Sequence, residues 1–301
     1  RKNKLEYILS GNFFGINTLS GLEYLKKSAD MNGDLADKEI HSIFSEFRFK
    51  LLNSTNVDAS IRREYDSQYD TFDTGRIQFN NNIFKNVILR GSLGTGYRTP
   101  TPYELYSSYG NTNLTPEKSI TYDLGSEISF KQNSGKLYFG VFETKVEDII
   151  KYAASKYRQS TANLKTHGTE IRFKTSIYDF LTTSINYTKT HGKENDGDSI
   201  TLVPKDKIVF SLNYEPIENI NINTYYLFQN KSKDTKYNEL PVYRSLNLNA
   251  SYSFQKNSKA FVKFENILDR DNIVNRGGGT SENLGYRSPG LSMYLGLKFE
   301  N

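Results

Sequence analysis

Cysteine and tryptophan are absent from the 301-residue chain, and histidine occurs only three times. Without cysteine the chain cannot form disulfides, Cys-ligated zinc sites or a thiol nucleophile. No HExxH, P-loop or EF-hand pattern is present. His41, His167 and His191 fall on different predicted strands or loops, with no nucleophile–base grouping around them. The sequence therefore predicts no enzyme, no metal centre and no cofactor.

Long apolar runs are also missing, since none approaches the roughly 20 residues of a membrane-spanning helix. Charge of one sign is not concentrated either. The 39 basic and 34 acidic residues are interspersed and leave a formal net charge of +5. Such mixing is typical of a solvated surface, so we expect no nucleic-acid partner.

Hydrophobic residues make up only 36% of the chain, whereas aromatic residues reach 14% and are all tyrosine or phenylalanine. Disorder does not explain this composition, because disordered segments are poor in aromatic residues. Strands with one apolar face and one solvent-exposed polar face explain the composition better, since only every second residue must then be apolar.

Period-two alternation is clearest in SLNLNASYSF, residues 245–254, where apolar side chains alternate with serine and asparagine. Residues 208–214 and 291–299 also carry apolar residues at every second position. The pattern predicts about 15 strands, mostly of ten residues or more, and no helix anywhere. We predict an all-β fold, an antiparallel transmembrane β-barrel, with residues 1–301 as a single domain.

Short connections alternate along the chain with longer polar ones. Short turns at one end and long loops at the other are typical of outer-membrane barrels. Tyrosine and phenylalanine near the predicted strand ends suit the aromatic girdles of such barrels. The alternative is a soluble all-β protein such as a propeller, a sandwich or an adhesin stalk. That class would show more closely spaced turns or a fixed repeat.

The segment GYRTPTPYELYSSYGNTNLTPEKS, residues 96–119, resembles the paired boxes of TonB-dependent outer-membrane receptors. In that family an aromatic–Arg–small–Pro box precedes an Asn-Pro-Asn/Asp-Leu box and a Pro-Glu-Lys/Glu-Ser stretch. Thr112 replaces the proline of the second box. The matching positions are Tyr97, Arg98, Pro100, Glu104, Leu105, Asn113, Leu114, Pro116 and Glu117.

The C-terminal part resembles the same family. FENILDRDN, residues 264–272, contains Asn266 and Asp269 and is similar to the family's penultimate-strand motif. PGLSMYLGLKF, residues 289–299, resembles the closing strand, whose aromatic end, here Phe299, is the signal for barrel assembly. Glu300 and Asn301 follow that aromatic residue, which departs from the family pattern.

The resemblance implies an integral protein of the Gram-negative outer membrane, with a barrel of 22 strands around a plugged lumen. The opening residues RKNKLEYILS read as a strand and lack a signal peptide. We therefore expect a fragment, without the N-terminal plug and roughly the first seven strands of such a barrel.

The implied function is high-affinity, TonB-energised uptake of a scarce nutrient, cobalamin or a ferric siderophore, into the periplasm. The implied partners are the TonB complex through the missing plug, the small-molecule ligand, the barrel-assembly machinery and outer-membrane lipid. The full length that the resemblance implies for the whole receptor slightly favours cobalamin as the ligand. The absence of histidine between Arg98 and Asn111 disfavours haem as the ligand. A passive pore or a structural barrel without a plug is the rival function. A soluble carbohydrate-binding protein is a further alternative.

The boxed segment is expected to form an extracellular loop whose prolines lower the cost of ordering it. Arg98 and Glu104 are predicted to pair at its base, and Pro100, Asn113 and Leu114 to pack within it. For its tyrosines, ligand contact and loop packing stand as equal alternatives. Glycine-rich residues 276–285 form either a closing flap or a tether. The predicted ligand-binding residues are Tyr103, Tyr106, Tyr109, Asn111 and Arg276.

Overall fold

The computed structural model describes residues 2–31, 34–130, 134–160, 162–194, 200–234, 237–255, 257–276 and 285–299. Its elements in chain order are β1 (Lys2–Phe13), β2 (Ile16–Met31), β3 (Asp34–Leu52), β4 (Thr55–Asp66), β5 (Asp70–Phe84), β6 (Val87–Arg98), α1 (Pro102–Tyr106), β7 (Glu117–Phe130), β8 (Gly135–Glu147), β9 (Ile150–Ala153), β10 (Lys156–Gln159), β11 (Leu164–Tyr178), β12 (Leu181–Glu194), β13 (Asp206–Ile217), β14 (Ile220–Gln229), β15 (Ser232–Lys233), β16 (Glu239–Leu240), β17 (Tyr243–Gln255), β18 (Ser258–Glu265), β19 (Ile273–Asn275), β20 (Tyr286–Arg287) and β21 (Ser292–Phe299).

Fifteen of these strands form one antiparallel sheet in the order β1-β2-β3-β4-β5-β6-β7-β8-β11-β12-β13-β14-β17-β18-β21. The remaining strands pair in three hairpins outside the sheet, β9 with β10, β15 with β16 and β19 with β20. Each sheet strand therefore lies beside the next sheet strand in the chain. The predicted all-β antiparallel fold is confirmed.

The described chain divides into two compact units. The first unit comprises Arg1–Gly125, Phe142–Thr166 and Lys193–Asp198, and it contains β1 to β6, α1 and the β9–β10 hairpin. The second unit comprises Ser126–Val141, His167–Gly192 and Ser199–Asn301. It contains β13, β14, β17, β18, β21 and the two other hairpins.

The strands of the first unit have two chemically different faces. Their register aligns Tyr7, Leu22 and Ile43 on one face, and all three side chains are exposed. The opposite face aligns Glu23 with Ser42, and the guanidinium of Arg62 donates hydrogen bonds to both. An exposed apolar face opposite a hydrogen-bonded polar face is the pattern of strands that meet lipid on one side only.

From β6 onward the connections alternate in length as predicted. Before β6 they do not, because residues 67–69 alone join β4 to β5, and the long polar connection expected near residue 28 lies largely in β2 (Ile16–Met31) and β3 (Asp34–Leu52). Short turns occupy residues 14–15, 53–54, 85–86, 179–180 and 218–219, whereas long connections occupy 99–116 and 148–163. The turns predicted near residues 131 and 256 lie partly outside the described residues, and so does most of the glycine-rich segment 276–285.

The prediction that the chain contains no helix is wrong, because α1 forms one turn inside the boxed segment. A helix of five residues is too short to show a 3.6-residue period. Its sequence signal is instead a capping box, with Thr101 as N-cap, Glu104 three residues later and Pro102 in the first turn. Within the described ranges, no helix is long and apolar enough to cross a membrane.

Gly21 leaves room for an aromatic ring across the β2–β3 pair. A Cβ atom at this position would lie 2.5 Å from Cζ of Phe44 and 2.8 Å from the carbonyl oxygen of Tyr7. The ring can rotate away, but the carbonyl belongs to the paired strand β1 and cannot. Close approach of the backbone therefore requires glycine here.

We expect Gly21→Ala to lower the free energy of unfolding by about 1–3 kcal/mol, the usual cost of overpacking. Urea unfolding in detergent, followed by circular dichroism, measures this change. Gly94→Ala is the matched control, because its Cβ would meet its nearest neighbour, the side chain of Arg76, at 3.6 Å. Equal losses of stability in both variants would contradict the steric argument.

Candidate functional site

Arg98, the last residue of β6, closes the base of the loop formed by residues 99–116, called here the box loop. Its Nε and Nη2 atoms donate to the two carboxylate oxygens of Glu117, each at 2.8 Å. Its Nη1 donates to Oε2 of Glu104 at 2.9 Å. Because Glu117 begins β7 and Glu104 lies in α1, one planar guanidinium joins both ends of the loop to its helix. The predicted pairing of Arg98 with Glu104 is present.

The carboxylate of Glu104 also caps the helix in which it lies. Oε2 accepts hydrogen bonds from the backbone N–H of Thr101 at 2.7 Å and from its hydroxyl at 3.0 Å. The backbone N–H of Glu104 in turn donates to Oγ1 of Thr101 at 3.2 Å. The same carboxylate therefore caps the N-terminus of α1 and anchors the helix to Arg98.

Opposing influences act on the pKa of Glu104, which lies outside the sheet strands. Burial favours the neutral acid, but hydrogen bonds from Arg98 and Thr101, together with the charge of Arg98, favour the carboxylate. The hydrogen bonds and the charge of Arg98 together outweigh burial, so the pKa of Glu104 lies below its ordinary value of 4.5. The folded loop therefore prefers Glu104 ionised.

A small apolar nucleus lies under the loop. Leu105 and Leu114 are buried together with Ile150 of β9, and Tyr106 and Tyr157 pack against them. The backbone N–H of Ile150 donates to Oε1 of Glu117 at 2.8 Å. The β9–β10 hairpin is thus part of the same assembly as the box loop.

Asn111 joins the loop to this hairpin through its backbone and its side chain. Its backbone N–H donates to the carbonyl of Glu104 at 2.8 Å, and its Nδ2 donates to the carbonyl of Tyr157 at 3.2 Å. Its Oδ1 accepts from the N–H of Asn113 at 3.0 Å. The backbone N–H of Tyr157 donates to the carbonyl of Tyr109 at 2.8 Å, which adds a second link.

Four tyrosines of the loop and hairpin form a connected surface, called here the tyrosine platform: Tyr103, Tyr109, Tyr152 and Tyr157. Ring centroids lie 6.1 Å apart for Tyr103–Tyr157, 5.7 Å for Tyr109–Tyr152 and 5.4 Å for Tyr152–Tyr157, all edge to face. Tyr103, Tyr109 and Tyr152 are 48%, 43% and 55% exposed. Tyr106 instead packs on the apolar nucleus.

Sequence reasoning identified Tyr103 and Tyr109 but missed Tyr152 and Tyr157. These two residues pair with each other across the hairpin, whose turn at Ala154 and Ser155 has positive φ angles of 50° and 61°. The available signal was a pair of tyrosines that flank a tight turn in IKYAASKYRQ. Nothing local in that stretch indicates contact with the box loop.

The C-terminal motif forms a second, separate assembly in the second unit. Nδ2 of the buried Asn266 donates to the carbonyls of Arg270 at 2.9 Å and Pro289 at 3.1 Å. Oδ1 of Asp269 accepts from the N–H of Leu291 at 2.9 Å. Both motif residues have positive φ, which asparagine and aspartate tolerate better than most. They hold the connection between β18 and β21.

The other predicted positions lie at scattered places. Phe299 ends β21 and is exposed, with its ring centroid 6.3 Å from that of Phe254. Arg276 follows β19 and is half-buried. His167 and His191, expected to be scattered, stack with centroids 5.6 Å apart. Across the part of the chain that the structure describes, no group of three His, Cys, Asp or Glu side chains could hold a metal ion.

We expect Arg98→Lys to loosen the box loop although the charge is kept, because an ammonium cannot bind two carboxylates in a planar fork. Hydrogen exchange of residues 101–116 should accelerate by roughly tenfold. Arg63→Lys is the matched control, since Arg63 makes a similar fork to Asp73, with both atom pairs at 2.7 Å, on an exposed strand surface. An unchanged exchange rate in Arg98→Lys would refute the fork as the anchor.

The pH dependence of loop stability should follow Glu104. A carboxyl group whose pKa is lowered by folding stabilises the fold above its ordinary value of 4.5, and this contribution is lost as pH falls through the folded-state pKa. We therefore expect Glu104→Gln to melt at a lower temperature than the parent protein at about pH 6, and the gap to narrow below about pH 4. A gap that is constant with pH would exclude Glu104 as the titrating group.

Comparison with known proteins supports the resemblance seen in the motifs. The family model described as "TonB dependent receptor-like, beta-barrel" matches residues 3–267. The vitamin B12 transporter BtuB of Photobacterium profundum is 23% identical over 279 residues, covering 86% of this chain and 45% of that protein. The ferrienterobactin receptor of Escherichia coli is 20% identical over 276 residues, covering 77% and 37%. The chain thus spans less than half the length of these relatives.

Solved structures share the fold at low sequence identity. The ferric enterobactin receptor PfeA of Pseudomonas aeruginosa superposes with a TM-score of 0.80 at 16% identity, covering 99% of this chain and 53% of that chain. The copper transporter OprC has a TM-score of 0.80 at 15% identity, with 99% and 56% covered. At these identities the likeness shows the fold alone. Because the family model matches most of this chain, residues 3–267, the chain belongs to the family of TonB-dependent receptor β-barrels.

Proposed function

We propose that this chain forms part of a receptor in the outer membrane of a Gram-negative bacterium. The receptor takes up a scarce nutrient, cobalamin or a ferric siderophore, into the periplasm with energy supplied through the TonB complex. Family membership and the exposed tyrosine platform support this proposal. Among similar proteins are a vitamin B12 transporter and a ferrienterobactin receptor.

The tyrosine platform is the part of the assembly best suited to bind such a ligand. Tyrosine rings offer large flat surfaces with a polar tip and few torsions to freeze. The Arg98 fork and the nucleus around Leu105 and Ile150 hold the platform before any ligand arrives. A preorganised surface binds with a smaller loss of conformational entropy. We therefore assign ligand contact to Tyr103, Tyr109 and Tyr152.

Asn111 and Arg276 were both predicted to contact ligand, but we assign them different roles. The polar groups of Asn111 already hold the loop and the hairpin together, so we assign it a positioning role. Arg276 follows β19 and remains a proposed ligand contact of the second unit. We propose no covalent chemistry and no enzymatic activity for either assembly.

Uptake by intact cells separates an energised receptor from the rival passive pore. Deletion of the gene should abolish saturable uptake of radiolabelled cobalamin or of a siderophore loaded with radioactive iron at nanomolar concentration. A protonophore or a tonB deletion should have the same effect, because transport then lacks its energy source. Uptake that rises linearly with concentration and is unaffected by the protonophore would contradict the receptor function and indicate a passive pore.

We expect the combined variant Tyr103→Ala, Tyr109→Ala and Tyr152→Ala to weaken ligand binding at least about tenfold, because exposed aromatic anchors dominate many binding surfaces. Tyr7→Ala is the control, since Tyr7 is also exposed but lies on the apolar face of β1. Equilibrium binding to purified protein in detergent provides the measurement. An unchanged dissociation constant in the triple variant would remove the platform from the proposed site.

A further inference from the structure

Lys38 of β3 contacts the box loop although β3 and the strand before the loop are not neighbours. The sheet order places β4 and β5 between β3 and β6, which ends at Arg98. Nζ of Lys38 nevertheless donates a hydrogen bond to Oγ1 of Thr99, the first residue of the loop, at 2.7 Å. This contact therefore passes over the ends of the two strands that separate β3 from β6.

The connection between β4 and β5 is short enough to permit this contact, because only residues 67–69 form it. β3 continues beyond this turn, since its pairing with β4 starts only at Ile40, two residues after Lys38. Nε2 of Gln68 lies 3.5 Å from the hydroxyl of Tyr106, so the turn and the box loop are adjacent. The extended end of β3 and the start of the loop thus meet over a turn of three residues.

A fully buried carboxylate holds the ammonium group of Lys38. Its Nζ lies 2.5 Å from Oδ2 of Asp66, the last residue of β4. Oδ1 of Asp66 accepts a hydrogen bond from the backbone N–H of Gln68 at 2.9 Å and so fixes the turn. Among the described residues, no group donates a hydrogen bond to Oδ2. The positive charge of Lys38 is therefore what compensates this buried oxygen.

The ring of Tyr69 is a third partner of the ammonium group. Nζ of Lys38 lies over this ring, 5.3 Å from its centroid, where a cation and an aromatic face attract each other. Burial raises the pKa of Tyr69 to about 12, and Tyr106, Asp66 and Glu104 add to the effect. The neutral ring thus lies between the buried carboxylate and the helix of the box loop, and it restricts the directions open to the lysine.

The box loop consequently has two charged anchors, which differ in their exposure. The side chain of Arg98 is 43% exposed, whereas that of Lys38 is 12% exposed and Asp66 is fully buried. Water screens exposed ion pairs, which stabilise a fold only weakly. Removal of one member of a buried pair instead leaves an uncompensated charge. The Lys38 anchor should therefore tolerate substitution less well than the Arg98 anchor.

We propose that Lys38 and Asp66 are positioning residues, which place the tyrosine platform by fixing the start of the box loop. They act through Thr99 and not by contact with the ligand. Two residues after Thr99, Thr101 caps α1, and Tyr103 of the platform lies in that helix. The effect on ligand binding rests on the proposed function, whereas the effect on the loop does not. A strand outside both family motifs thus helps to determine the ligand surface.

The substitution Thr99→Val tests the contact without disturbing the ion pair. Valine keeps the branched shape of threonine but removes the hydrogen-bond acceptor. We expect hydrogen exchange of residues 101–116 to accelerate roughly three- to tenfold, with an unchanged urea midpoint for the strands. Thr71→Val is the matched control, since the hydroxyl of Thr71 donates only to the adjacent Asp70, at 3.2 Å. Mass spectrometry of the purified receptor in detergent measures the exchange.

The double variant Lys38→Met and Asp66→Asn tests the anchor itself. It leaves no buried charge without a partner, and asparagine can still accept the hydrogen bond from Gln68, so the strands should keep their urea midpoint. We expect exchange of residues 101–116 to accelerate at least about tenfold. The matched control is Lys26→Met and Glu39→Gln, which removes an exposed pair at 3.1 Å on the same two strands, β2 and β3. Its loop should exchange like that of the parent.

Ligand binding distinguishes a positioning role from a role in stability alone. The receptor is titrated with cyanocobalamin and with the iron(III) tris-catecholate complex. The probe that binds the parent should lose affinity about threefold in the Lys38–Asp66 double variant, because only molecules with an ordered loop are competent to bind. Saturating probe should return exchange of residues 101–116 to the parent rate. The control pair should bind like the parent.

Three outcomes separate the inference from the proposed function. Parent-like exchange of residues 101–116 in both Thr99→Val and the double variant would overturn the inference and leave the receptor function standing. An equal loss of stability in strands and loop would also overturn it, because Lys38 and Asp66 would then serve the sheet as a whole. Faster loop exchange in the variants, with neither probe bound by the parent and no energised uptake by cells, would support the anchor and contradict the proposed function.

Discussion

The shared guanidinium of Arg98 is the contact on which the candidate site depends. It binds the carboxylate that begins β7 and the carboxylate that caps α1. Glu117 passes the connection on to the β9–β10 hairpin through the N–H of Ile150. Strand end, helix and hairpin are therefore linked through two carboxylates and one arginine. Because each carboxylate has several partners, loss of the arginine affects all three elements.

Polar side chains hold the backbone conformation in both family motifs, but they do so through different interactions. Ion pairs organise the box loop, whereas the C-terminal motif uses the neutral amide of Asn266 and the carboxylate of Asp269 to satisfy backbone groups. Buried backbone donors and acceptors need partners wherever a sheet strand gives way to an irregular connection. The motif residues supply those partners, which explains why these residue types occupy those positions.

The strands could be predicted from the sequence because period-two alternation is local and is repeated along the chain. The frame of the box loop could be predicted in part, since Arg98 and Glu104 lie only six residues apart. The helix was missed because a single turn has no periodicity. Tyr157 was missed because its link to Asn111 spans 46 residues. Local patterns thus predict elements, and contacts between distant elements require the structure.

Closure of the box loop at its base has a consequence for how such receptors diversify. The entropy of loop closure grows slowly with length, by about 0.6 kcal/mol for each doubling. Once the Arg98–Glu117 contact joins the two strand ends, residues can be inserted into the exposed part of the loop at little thermodynamic cost, whereas Glu104, Leu105 and Leu114 stay fixed by their contacts. The loop therefore combines a fixed frame with exposed positions at which the sequence can change, and exchange of its surface involves the β9–β10 hairpin as well, because Tyr152 and Tyr157 belong to the same platform.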